Sequence, residues 1–289
     1  MKRDIHQEVT DKIIEQMRTV GHDWLKPFIG STMPINGVTR KRYQGINVFM
    51  LMLLGNSTSN EFATYKQWES AGGQVRKGST GTQIVFFKPM VSEKENVTTG
   101  KMEKSRWAML RYSTVFSREQ VADLKEVETV AGSGADTLQT CEEYLQRSGA
   151  EIRTIEGKGA FYSPGEDFIC MPPKSDFMDN ENGTATEHYY SVAFHELTHW
   201  TGHKNRIDRS ELKNKRGYAF EELIAEMGAA IQCATLGIDN EPRIDHAKYL
   251  NSWMQSLTDD PRAIFKAAAE AQKAVTFIET LQVEEAQAA

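Results

Sequence analysis

The strongest constraint on this sequence is the five-residue stretch His195-Glu196-Leu197-Thr198-His199. Histidines four positions apart lie one turn apart on the same face of a helix, and Glu196 lies beside them. Two neutral imidazoles at this spacing can hold one Zn²⁺, and the glutamate can accept a proton from water bound to the metal. The stretch predicts a metal site, provided that the segment is helical.

The residues around this stretch predict a helix. Thr184 and Glu187 form a capping box, in which each side chain satisfies a backbone N–H at the start of a helix. Gly202 is placed to end the helix, and apolar residues recur at helical spacing in between. These apolar positions are Tyr189, Val192, Ala193 and Leu197. A five-residue match alone is weak, because any long helix can carry two histidines by chance, but the flanking signals favour a metal site.

A catalytic zinc site needs a third protein ligand and one position left open. The longer pattern H-E-x-x-H-x-x-G-x-x-H includes Gly202 but has Asn205, a poor zinc ligand, where the third histidine should lie. His203 is out of register with that pattern and is predicted to be a surface residue. The third ligand is expected elsewhere in the chain.

A predicted helix at residues 217–227 supplies two glutamates one turn apart, Glu222 and Glu226. One of them can bind the metal while the other orients a ligating imidazole. The order of these acids is similar to that in gluzincin peptidases, in which E-x-x-x-D follows H-E-x-x-H and the first acid binds the metal. This similarity implies that Glu222 is the ligand and Glu226 the supporting acid, with Glu226 as the alternative ligand. Glu221 is predicted to face solvent.

Such a site predicts hydrolytic chemistry. Zn²⁺ would lower the pKa of bound water, and Glu196 would accept its proton and pass it to a leaving amine. A donor is also needed for the oxyanion, and Tyr218 is the nearest one in the sequence. The predicted catalytic residues are Glu196 and Tyr218, and the predicted metal ligands are His195, His199 and Glu222.

The composition is that of a globular chain, with 39% hydrophobic and 26% charged residues. A length of 289 residues favours two domains. The longest apolar run, residues 46–54, is far too short to span a bilayer, and the N-terminus leads into an amphipathic helix rather than a secretory core. The three cysteines form neither a metal-ligand spacing nor a disulfide framework, so a cytoplasmic location is predicted.

Charge is distributed unevenly along the chain. Residues 1–130 contain 19 Lys and Arg against 14 Asp and Glu, a net charge of +5, and the remainder contains 15 against 26, a net charge of −11. A basic first half favours contact with nucleic acid. The alternative is that the imbalance is only solvated surface.

Aromatic and basic residues interleave in this first half. Arg40-Lys41-Arg42-Tyr43 combines cations with a ring, the pairing by which single-strand binders attract phosphates and stack bases; a solvated loop is the alternative. At least one of the two tryptophans is expected in the core. The residues predicted to contact DNA are Trp24, Arg40, Lys41, Arg42, Tyr43, Lys66, Trp68, Arg76, Lys77, Arg111 and Tyr112.

The order of predicted elements indicates an α+β fold. In the first half, helices at 4–20 and 46–54 precede strands at 83–87 and 107–116, with 92–106 as a flexible hairpin tip. The small and polar residues at 127–139 suit a linker between domains at 1–126 and 140–289. Short strands at 151–155, 160–163 and 167–171 then lead into the histidine helix. Phe168–Met171 is either an edge strand that could pair with an extended substrate or an ordinary core strand.

Several stretches resemble one family throughout the chain. The first half is similar to the single-stranded-DNA-binding domain of ArdC-type antirestriction proteins, which is also found in TraC-type primases. The second half resembles the zincin-type metallopeptidase domain of the same family. The stretches that carry the resemblance are residues 43–47, 64–68, 72–78 and 112–116, then 195–199, 202–203 and 220–226.

The resemblance implies an α+β single-stranded-DNA-binding module joined to a zincin-like metallopeptidase domain. It implies a plasmid-borne protein that binds single-stranded DNA without sequence specificity and protects incoming conjugative DNA from restriction. The alternative is an active metalloprotease that cleaves a restriction or host-defence protein and uses its DNA domain only for localisation. A purely structural module is the weakest alternative. Zn²⁺ is the expected cofactor, although Mn²⁺ or another divalent ion can enter such sites.

Overall fold

The computed structural model describes residues 4–28, 32–95, 102–124, 134–180, 183–213, 215–238 and 247–288. In these ranges the α-helices are α1 (Ile5–Val20), α2 (Ile46–Leu54), α3 (Tyr65–Ser70), α4 (Gly134–Arg147), α5 (Ala185–Thr201), α6 (Lys215–Leu236), α7 (Ala247–Asp259) and α8 (Ala263–Ala288). None of these described helices is both long enough and apolar enough to cross a membrane.

The strands of the described residues form three sheets. They are β1 (Ile35–Asn36), β2 (Glu61–Thr64), β3 (Gln74–Val75), β4 (Thr82–Glu95), β5 (Met102–Ser117), β6 (Val121–Ala122), β7 (Glu151–Thr154), β8 (Phe161–Ser163) and β9 (Phe168–Met171). The strand orders are β1-β2-β5-β4, β3-β6 and β7-β9-β8. Over the part of the chain that the structure describes, helices combine with mainly antiparallel strands and no large parallel sheet is present, so the predicted α+β class is confirmed.

The hairpin of β4 and β5 is longer than predicted. Paired strand continues to Glu95 and resumes at Met102, so most of the segment predicted as a flexible tip belongs to the ladder. Residues 96–101 lie outside the described residues. A two-stranded ladder is held by backbone hydrogen bonds, and therefore tolerates polar sequence that a buried strand would not.

Strand β9 lies in the middle of its sheet, parallel to β7 and antiparallel to β8. All four of its residues are buried. The prediction that Phe168–Met171 forms an edge is therefore wrong, and the core-strand alternative holds. An unbroken run of apolar residues is typical of a strand covered on both faces.

One apolar core joins the two halves of the chain. Its largest cluster combines residues of α1, α2 and β4 with residues of α6, α7 and α8. Two long-range hydrogen bonds reinforce the junction, from Met33 N–H to the Ala234 carbonyl (3.1 Å) and from the Thr10 hydroxyl to the Pro261 carbonyl (2.7 Å). Helix α6 lies between this cluster and the histidine helix α5, so one helix contacts both regions.

Helix α4 begins at Gly134, inside the predicted linker. Residues 134–139 are helical, and residues 127–133 of the linker lie outside the described residues. The domain boundaries at 126 and 140 stay predictions.

Candidate metal centre

Helix α5 has the ends that its sequence predicts. The Thr184 hydroxyl accepts a hydrogen bond from Glu187 N–H (3.3 Å), and the Glu187 carboxylate accepts one from Thr184 N–H (2.9 Å). At the other end, Gly202 N–H donates to the His199 carbonyl (2.9 Å). The segment is helical throughout, so both histidines lie on one face of α5.

Three side chains bring ligand atoms together at this face. The Nε2 atoms of His195 and His199 are 3.1 Å apart, and each lies 3.6 Å from a carboxylate oxygen of Glu222 on α6. His195 and Glu222 are buried, and His199 is mostly buried. Within the described residues, this is the one group of three such side chains whose ligand atoms converge.

The spacing of these atoms fits one divalent ion. Ligand atoms at about 2.1 Å from a tetrahedral Zn²⁺ lie about 3.4 Å from one another. The observed separations of 3.1 and 3.6 Å bracket that value. Two imidazoles and one carboxylate, with a fourth position left over, form the ligand set of catalytic rather than structural zinc sites.

Glu221 orients one of the imidazoles. Its carboxylate lies 3.2 Å from Nδ1 of His199, so Nδ1–H is assigned as the donor and the Nε2 lone pair faces Glu222. The prediction that Glu221 faces solvent is wrong, because its carboxylate contacts His199 and is mostly buried. Glu226 is itself buried but is not among the three converging ligands.

Arg209 is a part of this site that sequence reasoning missed. Its guanidinium donates two hydrogen bonds to Glu221 (2.8 and 2.6 Å) and others to the Thr198 carbonyl and the Thr201 hydroxyl. Burial raises the pKa of Glu221, but hydrogen bonds from Arg209 and His199 outweigh it and hold that pKa below the usual value. Glu221 is thus kept ionised against His199.

Two glycines permit these close approaches. A Cβ on Gly202 would lie 2.9 Å from the Arg209 guanidinium, so this glycine does more than end the helix. A Cβ on Gly228 would lie 2.5 Å from the Thr198 side chain, where α5 and α6 cross. Close contact of the two helices is what allows Glu222 on α6 to reach the histidines on α5.

The remaining predicted catalytic residues lie close to this cluster. Glu196 is buried and directly follows His195 on α5. Tyr218 is half exposed and its hydroxyl is hydrogen-bonded to Glu222; burial, followed by the Glu222 charge, raises the pKa of the phenol. Burial also raises the pKa of Glu222, but the neighbouring His195 and His199 outweigh this effect and lower that pKa.

The predicted DNA contacts fall into two groups. Both tryptophans are buried, and Trp68 donates its indole N–H to the Phe116 carbonyl (2.9 Å). Trp24 and Trp68 therefore pack in the core and cannot stack on bases, which corrects their place in the predicted set. Tyr43 and Tyr112 are half-buried, with hydroxyls bonded to the Phe62 carbonyl and to the Glu8 carboxylate.

The predicted cations lie at the surface. Arg40 pairs with Glu61, Arg42 with Glu279 (3.1 Å), and Arg76 donates to the Glu119 carbonyl (2.5 Å). For the other four, no ion pair is found among the described residues. These exposed cations are Lys41, Lys66, Lys77 and Arg111.

The predicted set of DNA contacts did not include an exposed phenylalanine on β4. Phe86 is 45% exposed and lies directly across the ladder from Arg111. Its neighbour Phe87 points to the opposite face of the strand. The sequence does contain a signal for this residue: Phe86 and Phe87 are adjacent in a predicted strand, and adjacent side chains of a strand point to opposite faces of the sheet.

Comparisons with known proteins match two families to successive parts of the chain. Residues 3–116 match the family described as the N-terminal domain of anti-restriction factor ArdC, and residues 139–270 match the zincin-like metallopeptidase family. DNA primase TraC of Escherichia coli is 37% identical over 96% of this chain, but the chain spans only 27% of TraC.

Two solved structures of the antirestriction protein ArdC from plasmid R388 are also similar, each with 37% identity. The match to the metal-free structure has a TM-score of 0.80 and covers 98% of this chain and 99% of the ArdC chain. The match to the Mn(II)-bound structure has a TM-score of 0.76 and covers 97% of this chain and 98% of the ArdC chain.

Proposed function

Because the chain belongs to the ArdC family of antirestriction proteins, we propose that it binds single-stranded DNA without sequence preference and protects incoming conjugative plasmid DNA. The ArdC N-terminal domain and the zincin-like domain occur together in this chain. The first would hold the DNA, and the second would hold a divalent ion at His195, His199 and Glu222.

The exposed pair Phe86 and Arg111 carries the DNA-binding part of this proposal. Directly opposed residues of an antiparallel ladder share one face of the sheet, so ring and guanidinium lie side by side. Lys88, two residues along β4, adds an exposed cation to the same face. A ring that stacks on any base beside cations that attract phosphates binds single strands regardless of sequence.

A salt titration with substitutions tests this surface. Affinity for a labelled oligothymidine of about 20 nucleotides should fall linearly with salt on a log–log plot, because phosphate contacts release counterions. Phe86→Ala should weaken binding about 10-fold, and Arg111→Gln should reduce the slope by about 0.7. Fluorescence anisotropy measures both.

Phe161→Ala is the matched control, because Phe161 is a 42% exposed phenylalanine on a strand of the other half. It should leave affinity unchanged. Salt-independent binding, or equal losses in Phe86→Ala and Phe161→Ala, would contradict the proposed surface.

The second half of the chain supports hydrolytic chemistry as the alternative function. A divalent ion bound there would supply Lewis-acid chemistry, acidifying water and polarising a carbonyl group. In this alternative, Glu196 would accept and return a proton, and Tyr218 would donate a hydrogen bond to a developing oxyanion. Edge strand β8, rather than β9, would pair with an extended peptide. The buried carboxylate of Glu196 beside the converging ligands favours this candidate.

Glu196→Gln separates the two functions. The substitution removes the proton acceptor and keeps the side-chain shape, so bound metal should stay at the wild-type level while any proteolysis falls by about 10² to 10⁴. Metal content and protection of transferred plasmid DNA are both measured. Exposed Glu166→Gln serves as control. Retained protection supports the DNA-binding function, and lost protection supports the protease.

A further inference from the structure

A groove of about 860 Å³ lies between the first half of the chain and helix α8. One wall is formed by residues 44–47 and by Val85 and Phe87 of β4, and the other by α8. The floor is apolar and includes Ile46 and Phe265. The groove is thus built from both halves, although the predicted DNA contacts all come from the first.

The wall on α8 presents a row of exposed cations. Arg262, Lys266 and Lys273 line the groove. Ala269 lies between the two lysines and Thr276 lies after Lys273; both side chains are small and leave space for a nucleic-acid strand. Arg262 directly precedes α8 and lies eleven positions before Lys273, a distance of about 17 Å at 1.5 Å per helical residue. This length covers about five nucleotides at the ~3.4 Å spacing of a stacked strand.

Two of these cations have carboxylate partners. Lys266 pairs with Asp260 (2.8 Å) and Lys273 with Glu270 (2.5 Å). Both lysines are more than half exposed. Exposed pairs of this kind are weak and easily exchanged, so a phosphate can compete for either lysine.

The opposite wall holds an aromatic ring in a fixed position. Phe87 is 58% exposed and projects into the groove. The Asn47 amide bonds both backbone groups of Val85 (2.8 and 2.7 Å), which fixes β4 beside it. Gln272 accepts from Gly45 N–H (3.1 Å) and ties α8 to the other wall. The groove is therefore preformed.

We propose that this groove is a track for single-stranded DNA, with bases stacked on Phe87 and phosphates drawn to Arg262, Lys266 and Lys273. Helix α8 thereby makes the second half of the chain part of the DNA site. This inference rests on the proposed binding of single-stranded DNA. The bound DNA would then contact both faces of β4, the face that carries Phe86 and the face that carries Phe87. The combination of ring and aligned cations favours a nucleic acid over a protein partner.

The test uses the full chain and labelled oligothymidines of about 5 and about 15 nucleotides. The double variant Lys266→Gln/Lys273→Gln should reduce the salt slope by about 1.4, or ~0.7 for each lost phosphate contact. Phe87→Ala should weaken binding about 10-fold. All of these side chains are exposed, so the variants should fold, and thermal unfolding verifies this.

Arg147→Gln/Lys158→Gln is the matched control, because it removes the same charge from positions away from the groove; Lys158 is exposed and the Arg147 side chain is 42% exposed. Unchanged binding in the control together with weaker binding in the groove variants supports the track. If wild type binds the oligonucleotide but groove and control variants behave alike, the track is wrong while the proposed function stands. If wild type does not bind, the proposed function itself fails.

Discussion

Replacing Glu222 with glutamine is expected to lower the affinity for Zn²⁺ or Mn²⁺ by at least 100-fold. Glu222 is the one carboxylate among the three converging ligands of the described residues, and it contributes the only negative charge in that set. A structural zinc site of four ligands is worth about 10–16 kcal/mol, or roughly 3 kcal/mol for each ligand. A neutral amide is also a poor ligand for zinc. Competition titration with a chelator measures the change.

Glu226→Gln is the matched control, because Glu226 is the other buried glutamate on α6 and was the alternative ligand. Its affinity for the metal should stay near that of wild type. The metal affinity of Glu221→Gln should lie between those of the two other variants, about 10- to 100-fold below wild type, because Glu221 orients His199 without touching the ion. If Glu226→Gln loses the metal and Glu222→Gln keeps it, the assignment of the third ligand is wrong.

The sequence predicts those parts of the site that depend on local signals. The capping box at Thr184, the apolar period and Gly202 all lie within one helix, so α5 could be located from its own residues. Helical spacing and the ligand count of zinc sites left Glu222 and Glu226 as candidates, and the similarity to gluzincin peptidases selected Glu222. The role of Glu221 did not, because it depends on Arg209, a loop residue with no periodic pattern around it.

Signals that depend on distant partners could not be found in the sequence. Periodicity shows that a side chain has a preferred face but not what covers that face. Trp24 and Trp68 were therefore included among the predicted DNA contacts, with at least one of them expected in the core, whereas both are buried. Likewise, β9 is a central strand because it also pairs with β7, a strand that lies earlier in the chain, and this pairing leaves no pattern within β9 itself. The groove on α8 joins residues more than 150 positions apart, and no spacing indicates it.

Residues 1–126 expressed alone are expected not to fold cooperatively. In the whole protein, the apolar faces of α1 and α2 share one cluster with α6, α7 and α8. Removing the second half would expose side chains that are now fully buried, among them Ile13, Met17, Trp24 and Phe49. Each large apolar side chain contributes about 1.5–3 kcal/mol by burial, so exposing even a handful approaches the total stability of 5–15 kcal/mol typical of a domain.

Urea unfolding followed by tryptophan fluorescence tests this expectation, since Trp24 and Trp68 both lie in the fragment and are buried in the intact chain. The full chain should show a sigmoidal transition, and the fragment a broad, shallow change with a low m-value, because little surface remains to be exposed. Mixing the fragment with residues 127–289 should restore the sigmoidal transition, since the shared core can then form between two chains. A sharp transition in the isolated fragment would show instead that the first half holds its own core, and that the contacts with α6, α7 and α8 dock two separately stable domains.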